Sequence, residues 1–383
     1  MNKLSFSLLS IFLTVSTVLS PVYAERACHF PAIFNFGDGN SDTGGFTATF
    51  GSSPRFYGQT FFKGPSGRSC DGRLVIDFFA SSLGKKFLHS YTDSLGADLS
   101  QGANFAQILS PIAVPQLILP RDTPPFGFNP VSYGVQFAEF VNFVDRSQRI
   151  RNQGGKFRSL MPRNESFAKG LYTFDIGQND LAQGLFTNTS IDDIKKSLPA
   201  LINSFTATLK NLYDLFGART FWIHNTGPLG CLPYILTIVP TTDVDSVGCS
   251  KPVNELAQSF NSVLKSAVDK LRSELPKAAI TYVDINSAYY SLYLESQKYG
   301  FERPLEACCG LGGAHNFGAL QCGSTATVNG TQVTATPCKD PSKRINWDGF
   351  AYSEAANKII FEKIATGNFS DPPNSPGMAC RRE

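Results

Sequence analysis

The chain has 383 residues, among them 34 Lys or Arg and 31 Asp or Glu, which gives a formal net charge of only +3. This balance provides no basic footprint for nucleic acid and no attraction to an anionic membrane, so we predict neither as a partner. The 32 phenylalanines predict a large aromatic core and suit a pocket lined by aromatic rings.

The first 24 residues have the features of a secretory signal peptide. Lys3 supplies a positive charge, residues 8–19 form an apolar core, and residues 22–24 form a small-residue cleavage site. A single-pass anchor is the alternative, but the apolar run is shorter than the ~20 residues that a membrane span requires. We therefore predict that residues 1–24 are removed on secretion and that the protein has no membrane span.

Short apolar runs and long amphipathic patterns alternate along the rest of the chain, which predicts a parallel sheet with helices on both faces. The apolar runs end at turn residues, as buried parallel strands do, and cover residues 32–36, 171–176, 220–223 and 280–283. Ligands bind outside the carboxyl ends of such strands, so we expect the chemistry at residues 37–40, 177–180 and 225–230. The Gly- and Pro-rich segments 51–69 and 109–133 are predicted to be surface loops that shape the pocket.

Three patterns predict helices with defined ends. The capping box Ser190-x-x-Asp193 opens an apolar stripe with three- and four-residue steps, for which Gly217 is a natural stop. A second stripe covers residues 256–275, and residues 348–367 are predicted as a last helix.

A series of seven short motifs runs through the chain. The motifs are Gly37-Asp-x-Asn40, Asp71-Gly-Arg-Leu-Val-Ile-Asp-Phe78, Gly102-Ala-Asn-Phe-Ala106, Asp175-Ile-Gly-Gln-Asn-Asp180, Asn225-Thr-Gly-Pro-Leu-Gly-Cys-Leu-Pro233, Ala307-Cys-Cys-Gly310 and Ile345-Asn-Trp-Asp-Gly349. In this order they resemble the blocks of the plant GDSL esterase/lipase family, within the SGNH hydrolases. The resemblance implies a three-layer α/β/α, flavodoxin-like fold with a mostly parallel sheet. We expect it to form one domain over residues 25–383, with a Cys-rich insertion around 305–340.

The resemblance also implies ester hydrolysis, but this chain lacks two of the residues that perform it. In the family a serine after the first strand attacks the carbonyl, and a histidine three residues after an aspartate takes its proton. Here Gly39 stands at the serine position and Ala351 at the histidine position, although Asp348 is retained. We therefore predict that the chain is inactive by the family mechanism.

The oxyanion hole of the family is retained in part. The resemblance implies backbone donors at the serine and at a glycine of the block that begins at Gly102, together with an asparagine of the block that begins at Asp175. Asn179 is retained, with Gly177 beside it. The block that begins at Gly102 continues from Gln107 into Ile-Leu-Ser-Pro, where the resemblance implies a Gly/Ser-rich run. These four residues are our candidates for the oxyanion region and the pocket.

Neighbouring side chains are candidates for replacing the missing groups, but we assign each of them a structural role. Ser41 lies two residues beyond Gly39, and we expect a side-chain hydrogen bond to hold it in the turn. His224 ends a predicted strand at the same edge of the sheet, and His315 lies in the Cys-rich insertion. No Ser–His–Asp set can be assembled from the sequence.

Nine cysteines in a chain with a signal peptide predict disulfides, with at least one cysteine left over. Cys231 and Cys249 would close a short loop, and the cluster over residues 308–338 would staple the insertion. Cys70 is our choice for the free thiol, because relatives in the family have serine there. A metal site is the alternative, but no C-x-x-C pair is present and His315 stands alone, so we predict neither a metal nor a cofactor.

Four N-glycosylation sequons begin at Asn164, Asn188, Asn329 and Asn368. Together with the signal peptide they predict a secreted glycoprotein, whose destination is the extracellular fluid, the cell wall or the vacuole.

Three hypotheses about function follow. The first is a secreted pseudoenzyme that binds an acylated plant metabolite or a wall carbohydrate, with a protein partner possible. The second is a repurposed enzyme, in which Asp348, Asn179 and Asp38 or Asp180 provide acid/base chemistry; turn and cap hydrogen bonds are the structural alternative for these aspartates. The third is residual ester hydrolysis through a different triad.

Overall fold

The computed structural model describes residues 27–51, 55–114, 129–318, 320–328 and 330–380. The predicted signal peptide and most of the predicted loop at 109–133 lie outside these ranges. Within them the strands are β1 (Ile33–Gly37), β2 (Gly102–Asn104), β3 (Leu171–Asp175), β4 (Thr220–His224), β5 (Ala279–Val283), β6 (Gly310–Leu311), β7 (Leu320–Gln321), β8 (Thr325–Val328), β9 (Thr331–Thr334) and β10 (Ser370–Asp371). The helices of the same ranges are α1 (Gly45–Phe50), α2 (Val75–Ser82), α3 (Tyr133–Gln153), α4 (Asn164–Lys169), α5 (Gln178–Phe186), α6 (Ile191–Phe216), α7 (Pro233–Ile238), α8 (Lys251–Glu274), α9 (Ile285–Leu294) and α10 (Glu354–Ala365).

A six-stranded sheet in the order β10-β5-β4-β3-β1-β2 forms the centre of the structure. Strands β1 to β5 pair in parallel, and only β10 runs antiparallel, against β5. The four predicted strands are therefore confirmed as β1, β3, β4 and β5. The short edge strands β2 and β10 were not predicted, because two or three residues carry no periodic pattern.

Alternate residues of the strands face two separate groups of helices. On one face Phe36 and Phe174 belong to a dense aromatic cluster that includes Phe140 of α3 and Phe205 of α6. On the other face Trp222 of β4 packs edge-on against Phe79 of α2. Helices α9 and α10 lie with α2, whereas α5 and α8 lie with α6. The three-layer α/β/α fold is thus confirmed, and the clustered phenylalanines of β1 and β3 belong to its core.

Helix α6 has the predicted ends, whereas α10 begins later than predicted. The Ser190 side chain caps α6 by accepting from the N–H of Asp193, and Gly217 ends it in the left-handed conformation. The predicted start of the last helix at residue 348 is wrong. The Asp348 carboxylate accepts the N–H groups of two following residues and holds a turn, so the helix starts only after Ser353, which caps it.

Four disulfides join Cys28 to Cys380, Cys231 to Cys249, Cys308 to Cys338 and Cys309 to Cys322. The predicted Cys231 pair, the stapled insertion and the free, buried Cys70 are confirmed. The Cys28 pair was not predicted, because sequence alone gives no distance between the chain ends. Disulfides in this number are typical of proteins that fold in an oxidising compartment.

None of the helices in the described residues is both long enough and apolar enough to cross a bilayer.

Candidate active site at the carboxyl edge of the sheet

The segments that follow β1 and β3 meet at the carboxyl edge of the sheet, as the parallel arrangement requires. Gly37, the last residue of β1, pairs with Asp175 of β3, and the N–H of Asp38 donates to the Asp175 carbonyl at 3.0 Å. The side-chain amide of Gln136 in α3 fixes this end of β1, since it both accepts from the Gly37 N–H (3.0 Å) and donates to the Gly37 carbonyl (2.8 Å). Position 39 is therefore placed on a rigid turn.

Glycine is not required at position 39 by conformation or by space. Its φ lies outside the left-handed region, and an added Cβ would meet Ile108 Cγ1 at 3.6 Å and Ser69 Oγ at 3.7 Å. Both distances are ordinary van der Waals contacts. The Ser69 hydroxyl donates a hydrogen bond to the Gly39 carbonyl. A serine therefore fits at this position, flanked by Ile108 and Ser69.

The Asp348 carboxylate is buried and fully engaged. Its Oδ2 accepts from the Tyr57 hydroxyl at 2.6 Å, and its Oδ1 accepts from the N–H groups of Phe350 and Ala351 at 3.0 and 2.9 Å. Burial raises the pKa of Asp348, although these donors oppose the shift. The hydroxyl of Tyr57 thus provides a side-chain donor to the carboxylate, and the adjacent buried Ala351 offers only a methyl group.

The side-chain amide of Asn179 is also hydrogen-bonded to other groups of the protein. Its Nδ2 donates to the Ser110 carbonyl at 3.0 Å and lies 3.4 Å from Asp38 Oδ2. Asp38 Oδ1 in turn accepts from the N–H of Asn40 at 3.0 Å. Burial raises the pKa of Asp38 well above its usual range, and the neighbouring charge of Asp175 adds to the shift. The site therefore holds a buried carboxyl group whose burial disfavours the charged form, while the N–H of Asn40 opposes that shift.

The remaining aspartates of this edge form caps and turns. Asp180 accepts from the N–H groups of Ile112 and Ala113 at 2.8 and 3.0 Å, and burial raises its pKa to about 6. Asp42 accepts from four backbone N–H groups, among them that of Ile108. This was the structural alternative that we gave for Asp180.

The serine and histidine candidates have structural partners. Ser41 is buried and its Oγ accepts from the side chain of Asn35 at 3.0 Å. His224 lies with Nδ1 3.1 Å from Asp175 Oδ2, while its Nε2 accepts from the indole N–H of Trp222 at 3.0 Å. His315 Nδ1 contacts a backbone carbonyl at 3.0 Å. Both histidines are thus hydrogen-bonded structural residues, as predicted.

Comparison with known proteins identifies the family. The family model described as GDSL-like Lipase/Acylhydrolase matches residues 33–364. The chain belongs to this GDSL family.

Three relatives from plants match the chain over almost its whole length. A Hevea brasiliensis protein named Esterase is 50% identical over 367 residues, which cover 95% of this chain and 93% of that protein. The GDSL esterase/lipase ENOD8 of Medicago truncatula is 46% identical over 376 residues, with 98% and 96% covered. A protein of Arabidopsis thaliana named Alpha-L-fucosidase 3 is 48% identical over 387 residues, with 100% of both chains covered.

Gly102 lies far from the GDSL site, so its placement in the oxyanion region is wrong. It pairs with Ile33, the first residue of β1, whereas Gly39 lies beyond the last. The length of that strand, about 13 Å, separates the two. Glycine is needed at position 102 because its φ is +115° and an added Cβ would collide with the Ile33 carbonyl.

Gly177 and Gln107 are near the GDSL site but serve its scaffold. Gly177 precedes α5 with a φ of +124°, and a Cβ there would collide with the ring of Phe260. Gln107 is buried, and its Oε1 accepts from the side chain of Asn129 at 3.1 Å. The family motifs predict that both residues lie near the site, but they do not predict the contacts with Phe260 and Asn129.

Three residues of this GDSL site were missed in the sequence. Leu109 adopts a φ of +63°, the left-handed region that favours glycine. It lies in the run for which the family resemblance implies a Gly/Ser-rich composition, and this was the available signal. The ring of the buried Tyr234 packs at a tilt against that of Phe350, with 4.6 Å between the centroids, beside Asp348. Neither Tyr234 nor Tyr57 carried a signal, because each contacts a segment distant in the chain.

The sequon asparagines Asn164, Asn188 and Asn368 are exposed, and Asn329 lies outside the described residues. Glycosylation of these residues stays a prediction.

Proposed function

We propose that this chain is a secreted GDSL-family protein that does not hydrolyse esters by serine–histidine chemistry. In our proposal it binds an acylated plant metabolite or a wall carbohydrate without cleaving it. The observation that carries the proposal is the occupied Asp348 carboxylate. Its Oδ2 accepts from the Tyr57 hydroxyl at 2.6 Å, and the neighbouring Ala351 stands at the histidine position of the family.

The size of the catalytic loss supports this proposal. In subtilisin, a serine hydrolase of another fold, the removal of either the serine or the histidine costs about 10⁶-fold in turnover, roughly as much as removal of the whole triad. The residual acceleration comes from binding and from the oxyanion hole. Here the side-chain amide of Asn179 is directed to Asp38 and Ser110. We therefore expect the residual rate acceleration to be small as well.

Retained binding is supported by the space at position 39. A Cβ at Gly39 would meet only ordinary contacts, so the absence of a serine side chain leaves room beside Ile108 and Ser69. An acyl group that would lie against the serine side chain in an active hydrolase of the family therefore has more space at position 39 of this chain.

Titration calorimetry tests the binding function. The secreted protein is titrated with acetylated oligosaccharides and phenolic esters, and the same mixtures are then analysed for free acid. We expect saturable binding at or below millimolar concentration and no acid above the buffer blank. The absence of binding by every probe counts against a binding function, and acid release at the rate of the relatives counts against a pseudoenzyme.

The relatives named as esterases favour hydrolysis, and a fluorophosphonate probe addresses that alternative. Such a probe labels only an activated serine. We expect the protein to remain unlabelled, because Ser41 is buried and hydrogen-bonded to Asn35.

A second candidate function is acid/base catalysis by Asp38. Its raised pKa suits a general acid, which must hold its proton at the working pH. Glycoside hydrolysis uses a pair of carboxyl groups, one of which has a raised pKa, and one relative is named Alpha-L-fucosidase 3. Asp348 is less suited to this role, because Tyr57 and two backbone N–H groups engage it.

The wild-type chain, Asp38→Asn and Asp348→Asn are incubated with p-nitrophenyl α-L-fucoside and, separately, with a tissue extract. Turnover lost in Asp38→Asn but kept in Asp348→Asn supports this second function. The lack of any product from the wild-type chain rejects it.

A further inference from the structure

A polar groove lies in the Cys-rich insertion, among residues that take no part in the site at the carboxyl edge. Its volume is about 410 Å³, and its lining includes Arg303, Glu306, Asn316, Thr336 and Arg344. This volume falls within the usual range for small-molecule sites. The polar lining suits a ligand with many hydroxyl groups.

Arg344 in this groove is a largely but not fully buried cation with incomplete hydrogen bonding. Its side chain is only 13% exposed, and its Nε has no partner among the described residues. Its Nη1 makes only long contacts, to the backbone carbonyls of Glu302 and Lys343 at 3.3 and 3.4 Å and to the Glu302 carboxylate at 3.8 Å. Buried charges are normally paired and fully hydrogen-bonded. The Glu302 carboxylate, at 3.8 Å, is a distant partner, so this guanidinium can take a closer anionic group.

A second guanidinium lines the same groove. Arg303 is 68% exposed, and the partner of its Nη1 is Glu306, at 3.3 Å. The Glu302 carboxylate is held more closely by Lys343, at 2.9 Å, than by Arg344. Of the charged residues that line the groove, Arg303 and Arg344 are positive and Glu306 is negative, so the lining itself has one positive charge in excess. The neighbouring charges of Lys343, Glu302 and Asp340 lie beside this lining.

The groove has a rigid frame. The disulfide between Cys308 and Cys338 forms part of its lining, and the N–H of Cys338 donates to the Cys308 carbonyl at 2.7 Å. The Asn316 side chain donates to the Ala307 carbonyl at 3.0 Å, which fixes its orientation in the groove. A preorganised frame of this kind lowers the entropic cost of binding.

We propose that this groove binds a carboxylate-bearing saccharide, such as a uronic acid unit. A guanidinium binds a carboxylate through two parallel hydrogen bonds, and Arg344 with Arg303 supplies that recognition. Thr336, Asn316 and the Glu306 carboxylate provide hydrogen-bonding groups for the sugar hydroxyls. The inference does not depend on the proposed function, because it stands whether or not the carboxyl edge binds an ester.

Calorimetry with three probes tests this site on the secreted, disulfide-bonded protein. The probes are trigalacturonate, the neutral galactotriose and inorganic phosphate. We expect saturable binding of trigalacturonate, at least tenfold weaker binding of galactotriose, and weaker binding of phosphate than of trigalacturonate. Equal affinity for the neutral sugar overturns the role of the carboxylate. Phosphate binding as tight as that of trigalacturonate shows a general anion site and overturns the saccharide.

Variants locate the site. Arg303→Gln is expected to fold, because the side chain is exposed, and to weaken trigalacturonate binding at least tenfold. Arg344→Gln is expected to do the same, with melting temperature as its folding control. Arg149→Gln removes an equally exposed arginine of α3 that pairs with Asp145, and it is expected to keep the wild-type affinity. Equal losses in Arg303→Gln and Arg149→Gln would mean that binding depends on overall charge, which refutes the groove.

Discussion

In our proposal, position 39 differs from the nucleophile of the family by one hydroxymethyl group, and position 351 differs from its base by one imidazole. Since a Cβ at Gly39 fits, we expect Gly39→Ser to fold normally but to stay inactive, because no base is present. Gly39→Ser with Ala351→His is expected to regain weak esterase activity. Adding Tyr57→Phe is expected to raise that activity further, because it removes the hydroxyl that donates to Asp348 Oδ2.

Hydrolysis of p-nitrophenyl acetate and fluorophosphonate labelling measure these changes, with Gly39→Ala and Ala351→His as the inert control pair. Asn179 is directed to Asp38 and Ser110, so we expect the triple variant to remain about 10²–10³-fold below an intact enzyme, the usual cost of one lost oxyanion donor. Full activity in Gly39→Ser alone would falsify our assignment of the base.

Leu109 holds a backbone conformation that suits glycine. The left-handed region costs an L-residue roughly 1–2 kcal/mol, and Leu109 has a φ of +63° and a half-buried side chain. Leu109→Ala keeps the strain and loses the packing, whereas Leu109→Gly loses the packing but relieves the strain. We therefore expect the glycine variant to be more stable than the alanine variant by about 1 kcal/mol.

Chemical denaturation of the two variants measures this difference. The same pair of substitutions at Leu215, an exposed residue inside α6, serves as the control. There we expect the ordinary order, with alanine more stable than glycine by about 1 kcal/mol. If alanine is also the more stable residue at position 109, the conformation of Leu109 is not strained in solution.

The candidate site illustrates what single residues reveal in the sequence. Gly39, Ala351 and Asp348 could be aligned with the family motifs one by one, because each lies at a fixed place in a block. The hydrogen bond from Tyr57 to Asp348 could not, since it joins residues 291 apart. Gly102 was misplaced because a motif gives the order of residues and not the end of the sheet at which they lie.

At the scale of elements, helix α3 contains a carboxyl group that responds to pH. Glu139 is largely buried, its Oε2 has no hydrogen-bond partner among the described residues, and burial raises its pKa to about 7. A pKa that is raised on folding favours the native state at low pH. Its contribution is complete below the unfolded value, near 4.5, and is lost as the pH rises through about 7.

Glu139→Gln removes the titrating charge and keeps the shape of the side chain. We expect it to increase the free energy of unfolding by about 1–2 kcal/mol at pH 8, discounted for partial exposure, and to have little effect at pH 5. Urea denaturation at both pH values measures the difference. A control is Glu165→Gln, which removes an exposed carboxylate from the first turn of α4. A gain that is equal at pH 5 and pH 8 would show that Glu139 does not titrate as stated.

Element boundaries show where sequence patterns stop being informative. Helix α6 could be predicted at both ends, because Ser190 and Gly217 mark them chemically. The start of α10 could not, because the Asp348 side chain competes for the N–H groups of Phe350 and Ala351. Strand β10 could not be predicted either, because it depends on pairing with β5 and a strand of two residues has no local sequence pattern.

At the scale of the whole molecule, one disulfide joins two segments that are very distant in sequence. Cys28 and Cys380 are 352 residues apart in sequence, and the N–H of Cys28 also donates to the Gly377 carbonyl at 2.7 Å. This link ties the N-terminal segment before β1 to the segment after β10, so it joins regions at both ends of the fold. A disulfide that closes a long loop restricts the unfolded chain more than one that closes a short loop.

We expect Cys28→Ser with Cys380→Ser to lower the free energy of unfolding by about 2–4 kcal/mol and the melting temperature by several degrees. Calorimetry and guanidinium denaturation measure the loss. Cys70→Ser is the matched control: the thiol is free and buried, it contacts the backbone of Gly72, and serine keeps those hydrogen bonds. We expect it to change stability by less than about 1 kcal/mol. If both variants lose the same stability, a buried sulfur atom rather than the covalent closure of the chain accounts for the effect. A difference between them assigns the stabilisation to the link between the two ends of the fold.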